Sequence, residues 1–249
     1  MLEKTLTRAA TALVLATATL LMTAQGAAGI GAEQLCQKGR YDAAAKYKQC
    51  HDKALGVVFL TNDLASLQSS LSKCRVKYAS AWLTLQRRAI GTGSTCDAPR
   101  FVDNGNGTVT DHLTGLDWEK KVSGAGVSSN GSTFKWPSAS ASFLAGINGG
   151  TGLNNNYDLA SGFLCLALVC DWRLPTIAEL QTIVAEPFPC TTSPCIASVF
   201  GPTAVGDYWS STTLADNSSY AWGVFSGTGE VSYGLKSLSN LVRGVRGGL

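Results

Sequence analysis

FVDNGNGTVTDHLTGLDWEKK, residues Phe101 to Lys121, decides how the larger part of the chain folds. Alternating Val, Thr and Asp flank two Asn-Gly pairs, Asn104/Gly105 and Asn106/Gly107, which supply the positive backbone angles that a hairpin turn needs. From Gly115 to Lys120 the alternation resumes with Leu116 and Trp118 on one face, so a further strand follows. Outward toward the C-terminus, runs of the same period predict strands over Tyr208–Thr213, Tyr220–Phe225, Val231–Leu235 and Leu241–Val245. Two helices interrupt them. One spans Trp136 to Ile147, with Pro137 in its first turn. The other starts at Thr176, where Thr176 and Glu179 have the T-x-x-E spacing of a capping box. Gly149 to Ser161 is rich in Gly and Asn and reads as a long loop.

Outward toward the N-terminus the composition changes. Residues 32–95 are dominated by Ala, Lys, Gln and Leu and contain no Pro, which predicts helix. Gly39 and Gly56 are expected to divide this segment into a short helix, a second over Tyr41–Leu55 and a long third. Leu64, Leu67, Leu71, Cys74, Tyr78, Ala81 and Leu85 recur at three- and four-residue steps, the seam of about three heptads. That seam can close on the preceding helix as an antiparallel hairpin, or on another chain as a coiled-coil stalk, giving a homo-oligomer through Leu64, Leu67, Leu71, Tyr78 and Leu85. The short connection over 56–61 favours the hairpin. Gly91, Gly93 and Pro99 mark the boundary with the domain over 101–249.

Ahead of the helices, Lys4 and Arg8 precede an uncharged Ala/Leu/Val stretch over 9–22 that ends in small residues, the layout of an export signal over 1–28. No membrane span is expected after its cleavage. All eight cysteines, Cys36, Cys50, Cys74, Cys96, Cys165, Cys170, Cys190 and Cys195, lie beyond it. An even count in an oxidising compartment predicts disulfides. Cys165/Cys170 and Cys190/Cys195 are expected to pair locally, because four intervening residues close at little entropic cost; pairing among the other four stays open. Zinc is disfavoured, since neither close pair is CxxC and only His51 and His112 offer imidazoles.

The net charge of +3 hides an asymmetry. Glu33 to Arg100 holds 11 Lys and Arg against 5 Asp and Glu; Phe101 onward holds 7 against 11. The basic density falls far short of that of nucleic-acid-binding proteins, but it permits attraction of anionic polymers to the first part.

FVDNGNGTVTDHLTGLDWEKK, together with DWRLPTIAELQTIV (Asp171–Val184), YWSSTT (Tyr208–Thr213), AWGV (Ala221–Val224) and VRGVRGG (Val242–Gly248), resembles the Lcl C-terminal domain family, typified by the end domain of a collagen-like bacterial adhesin. The resemblance implies an α+β fold: a C-type-lectin-like domain of two helices and short antiparallel strands, here preceded by the helical segment in place of a collagen-like stalk. It also implies an exported bacterial protein and kinship with formylglycine-generating enzymes, whose RLPT-x-AEW motif resembles Arg173 to Leu180. The adhesin's domain is associated with sulfated glycosaminoglycans, whereas this domain is net acidic.

Catalysis is not expected. No Cys follows Cys195, where the enzyme relatives would place a catalytic pair, and the domain's one imidazole, His112, has no triad partners in view. The Asp103–Asp111 run has Gly at positions where a calcium loop needs Asp or Asn, so no metal or other cofactor is expected. Trp118, Trp136, Trp172, Trp209 and Trp222 offer indole faces for stacking on a sugar, with core packing the plainer reading of the four in the quoted motifs, Trp118, Trp172, Trp209 and Trp222. Trp222, Lys236, Arg243 and Arg246 are the candidate ligand contacts, with a structural Arg pair as the plainer reading of the last two. Variable loops over 124–132, 149–162, 186–206 and 214–220 are the places for recognition. The expectation is a secreted, periplasmic or cell-surface adhesion protein that recognises a glycan or protein surface. A structural protein of the envelope and a hydrolase with an unrecognised site are the alternatives.

Overall fold

The computed structural model describes residues 30–61, 63–149, 165–185, 190 and 192–248. The expected leader and most of the Gly/Asn-rich loop lie outside the described residues. The chain is α+β: a helical hairpin followed by a sheet-rich domain with few helices.

Helix α1 runs Ala32–Thr61 and α2 runs Leu64–Ala89. Asp63 caps α2 by accepting the Ser66 N–H at 3.0 Å, satisfying one of its orphan donors. There are two helices here where three were expected, because Gly39 does not end α1. A Cβ at Gly39 would lie 2.1 Å from Leu85 Cδ2, so the missing side chain is what lets α2 pack this closely. Cys50–Cys74 staples the two helices, and Cys36–Cys96 ties the start of α1 to the turn after α2. Tyr47 stacks on Tyr78 at 4.6 Å between centroids. The heptad seam therefore closes within the chain: Leu67, Leu71, Cys74 and Tyr78 are buried, Leu85 is half-buried, and only Leu64 at the tip is exposed.

Strands β1 (Phe101–Asp103), β2 (Thr108–Asp111) and β3 (Leu116–Glu119) form an antiparallel meander. Gly105 and Gly107 adopt φ of 71° and 85° at its first turn, as the Asn-Gly pairs predict. β4 (Thr133–Lys135) leads into α3 over 136–147, whose middle, Ala139–Leu144, is wound as a π-helix. α4 (Ile177–Thr182) begins with the predicted capping box: the Thr176 hydroxyl accepts the Glu179 N–H at 3.2 Å, and Glu179 Oε2 accepts the Thr176 N–H at 2.7 Å. Then come β5 (Asp207–Thr213), β6 (Tyr220–Phe225) and β7 (Glu230–Leu235).

The strand expected over Leu241–Val245 is instead two, β8 (Ser239–Leu241) and β9 (Val245–Gly247). Residues 242–244 carry the chain from one sheet to the other. β9 completes a sheet of order β1-β2-β3-β9, while β8 lies between β4 and β5 in a second sheet of order β4-β8-β5-β6-β7. The close backbone approach at Gly244 and the buried Val242 and Arg243 explain the break, since this stretch is spent on core contacts rather than on a ladder.

The hairpin is docked on the domain. Ala54 and Val58 of α1 and Leu67 and Leu71 of α2 share one core with Trp118, Leu180, Trp222 and Val231. The Tyr47 hydroxyl donates to the Ala178 carbonyl at 3.1 Å. On the outer edge of β7, the Gln68 amide accepts the Val231 N–H at 3.0 Å and donates back to the Val231 carbonyl, taking the place of one residue of a neighbouring strand. A second core gathers Phe143, Ile147, Trp172 and Trp209 beneath α3.

Candidate functional site

The charged residues fall into two groups, those committed to the fold and those still free to meet a ligand. Arg243 belongs to the first. It is 1 % exposed and donates to the Glu119 carbonyl at 2.7 Å, the Phe200 carbonyl at 2.9 Å and the Thr203 hydroxyl at 3.0 Å. Beside it the buried Glu119 carboxylate binds Lys121 Nζ at 2.9 Å and accepts the Gly244 N–H at 2.9 Å. Burial lowers both the Arg243 and the Lys121 pKa, against the opposing pull of Glu119 on each. Such a network is sustained by complete pairing, because an isolated buried charge is costly.

Arg246 is half-buried and divided between Asp171 at 2.6 Å and Asp117 at 2.9 Å. Its bond to Asp171 is the main cause that holds that carboxyl below the usual range. Arg173 forks onto Glu179 at 2.6 and 2.8 Å. Burial acts to raise the Glu179 pKa, but the Arg173 and Thr176 bonds outweigh it and leave it lowered. Lys236 stands apart, on the turn after β7, with its ammonium 4.0 Å from the Trp136 ring centroid and 2.8 Å from the Thr213 hydroxyl. The structure thus does not bring Lys236, Arg243 and Arg246 onto one surface. Among the described residues no group of three or more His, Cys, Asp or Glu side chains is placed to hold a metal ion.

Of the tryptophans, Trp118, Trp172, Trp209 and Trp222 are all 3 % exposed or less. Trp136 is half-buried and its indole N–H donates to the Ser210 carbonyl at 2.8 Å.

Two hollows lie where the hairpin meets the domain. The larger, of about 620 Å³, runs between α1 and α4 past Tyr41, His51, Leu116 and Ile177. Its polar groups are largely spoken for: Glu179 by Arg173 and Thr176, Lys48 by Asp52, and the Tyr47 hydroxyl by Ala178. The smaller, of about 360 Å³, opens at the hairpin tip. Val58 and Leu64 form one side of it, and β6 and β7 the other, with Tyr220 and Tyr233 toward solvent and Trp222 at the base. Tyr233 meets Trp222 at 5.4 Å and Tyr220 at 5.8 Å between centroids, nearly perpendicular in both cases, the edge-to-face geometry favoured by aromatic quadrupoles.

The β5–β6 loop closes the rim with Leu214, Asp216 and Asn217. That loop is held by its own bonds, Leu214 N–H to the Tyr220 carbonyl and Tyr220 N–H to the Asn217 carbonyl, both at 3.0 Å. The Asn217 side-chain oxygen accepts the Ser219 N–H at 3.0 Å, and its amide nitrogen remains a donor. Asp216 is exposed and has no salt bridge among the described residues. The loop was named as a candidate in the sequence, as was Trp222, which at 1 % exposed packs against Tyr233 and offers almost no surface to a ligand. Tyr233 and Val58 were not, although Tyr233 falls in phase with Val231 and Leu235 on one strand face, and Leu64 was named only for the heptad seam.

Residues 107–246 match the Lcl C-terminal domain, more than half of the chain. The chain belongs to the Lcl C-terminal domain family. The match spans β2 to β9 and leaves the hairpin outside it. A search among curated proteins gives no match. Membership of the Lcl C-terminal domain family and four disulfides are together consistent with an extracellular or surface location. The cleft at the hairpin tip lies at the junction between the Lcl C-terminal domain and the segment outside it. No helix among the described residues is long and apolar enough to cross a membrane.

Proposed function

We propose that this chain is an exported, non-enzymatic recognition protein that binds a glycan or protein surface through the cleft at the hairpin tip. The observation that carries the reading is the combination of exposed aromatic faces with uncommitted polar groups. Tyr220 and Tyr233 offer ring surface against which the apolar face of a sugar packs, and Asp216 and Asn217 offer hydrogen bonds at the rim. The other clusters of charge, around Glu119, Glu179 and Asp171, are consumed by partners within the fold.

The test is a glycan array and a cell-surface binding assay with Tyr233→Ala and Asp216→Ala. Both variants are expected to lose at least tenfold in binding while the midpoint of thermal unfolding stays within a few degrees, because both residues are exposed. Full binding by both variants would remove the cleft from the function.

A second reading has its own support. Lys46, Lys53, Lys73, Lys77, Arg87 and Arg88 are all exposed on the hairpin, whereas the domain's arginines are buried or paired. An anionic polymer such as a sulfated glycosaminoglycan would engage the hairpin, and that binding would fade as salt rises.

A further inference from the structure

We propose that the cleft at the hairpin tip is selective for a trimethylalkylammonium group of the choline type, an inference that rests on the cleft being the ligand site. Charge comes first. Among the described residues, Asp216 is the one charged side chain on the cleft's lining, and no Lys or Arg lines it to compete. An organic cation is therefore favoured there over a neutral or anionic group. Aromatic faces add to this, because a cation within about 6 Å of a Tyr or Trp ring centroid is attracted by the ring quadrupole. Tyr220 and Tyr233 present such rings beside Asp216.

The degree of methylation follows from hydration, since a compact ammonium is strongly hydrated and a trimethylammonium is not. A primary ammonium brings three N–H donors that must be matched when water is displaced. The rim offers it the Asp216 carboxylate and the Tyr220 and Tyr233 hydroxyls, with one lone pair of the Asn217 side-chain oxygen already taken by Ser219, and these return only part of the hydration given up against the rings. A trimethylammonium has no donors to satisfy. Its methyl groups find apolar surface on Leu64 and the Tyr rings, and it keeps the charge for Asp216. At about 360 Å³ the cleft is also large enough to admit such a head with part of the chain that carries it.

The experiment is a calorimetric or NMR titration of the full chain at fixed ionic strength with choline chloride, with 3,3-dimethylbutan-1-ol, which has the same shape without the charge, and with ethanolamine, which has the charge without the methyl groups. Choline is expected to saturate with a dissociation constant in the millimolar range or below, and both analogues to bind at least about tenfold more weakly. Asp216→Asn should bring choline down toward the uncharged analogue, and Tyr233→Leu should lose most of the binding, both at unchanged melting temperature. Equal binding of the alcohol would make the cleft merely apolar and overturn the inference, as would equal binding of ethanolamine or no saturation by choline at about 100 mM. The broader reading fails separately. If choline does not bind but Tyr233→Ala abolishes glycan or cell-surface binding, the cation inference falls and the cleft reading stands; if choline binds while surface binding ignores Tyr233, the reverse holds.

Discussion

His51 lies on α1 beside Tyr47, 1 % exposed, with no hydrogen-bond partner for its Nε2 atom. Burial is the main cause that pushes its pKa from 6.5 down to about 4. The folded protein therefore holds the imidazole neutral while the unfolded chain protonates it below 6.5. Because the folded pKa is depressed, the associated stability is fully present above 6.5 and is lost as pH falls toward 4, by roughly 3 kcal/mol in total. Thermal unfolding followed from pH 7 to pH 4 should show this loss, and His51→Phe, which keeps a ring against Tyr47 and removes the titration, should flatten the slope. A slope unchanged by the substitution would assign the acid sensitivity to other groups. His51 shows why residue roles were only partly legible: a lone imidazole on a helical face looks like any surface residue until the packing partner is known. The same holds for Arg243 and Arg246, three apart in sequence, one sealed against Glu119 and Phe200 and the other shared by two surface carboxylates.

At the scale of elements, local signals were the readable ones. β6 spans the same Tyr220–Phe225 that alternation predicts, the capping box sits at Thr176, and both five-residue cysteine spacings close into disulfides. Features set by distant partners were not readable. Gly39 looks like a helix breaker, and only its closeness to Leu85 shows why α1 runs through it. β4 is three residues long and exists because β8 lies beside it. Gln68 is one polar helix residue among many until Val231 meets it. That contact makes a test at this scale. Gln68→Ala would leave the N–H and C=O of a residue 3 % exposed without their partner, and should cost about 1–3 kcal/mol in chemical denaturation. A loss under about 0.5 kcal/mol would mean that water replaces the amide at this edge.

Over the whole molecule, the hairpin and the Lcl C-terminal domain are continuous in packing though not in family. The tight turn of the domain sends Leu113 into the hairpin's core, and the hairpin sends Ala54, Val58, Leu67 and Leu71 into the domain's. Removing the hairpin would uncover those apolar partners and the β7 edge together, and an uncovered edge is a template for association. The full chain is accordingly expected to melt in one cooperative transition. The isolated segment over 101–249 should melt at least about 10 °C lower, a loss of a few kcal/mol for a domain of this size, and should associate at concentrations where the full chain does not. The same packing bears on the expected homo-oligomer. Because Leu67, Leu71 and Tyr78 are already buried within their own chain, light scattering should report a monomer, and any assembly through the seam would have to undock the hairpin first. Two resolved transitions in calorimetry, with an isolated domain as stable as the full chain, would instead make the hairpin a separable arm and leave its seam free to pair.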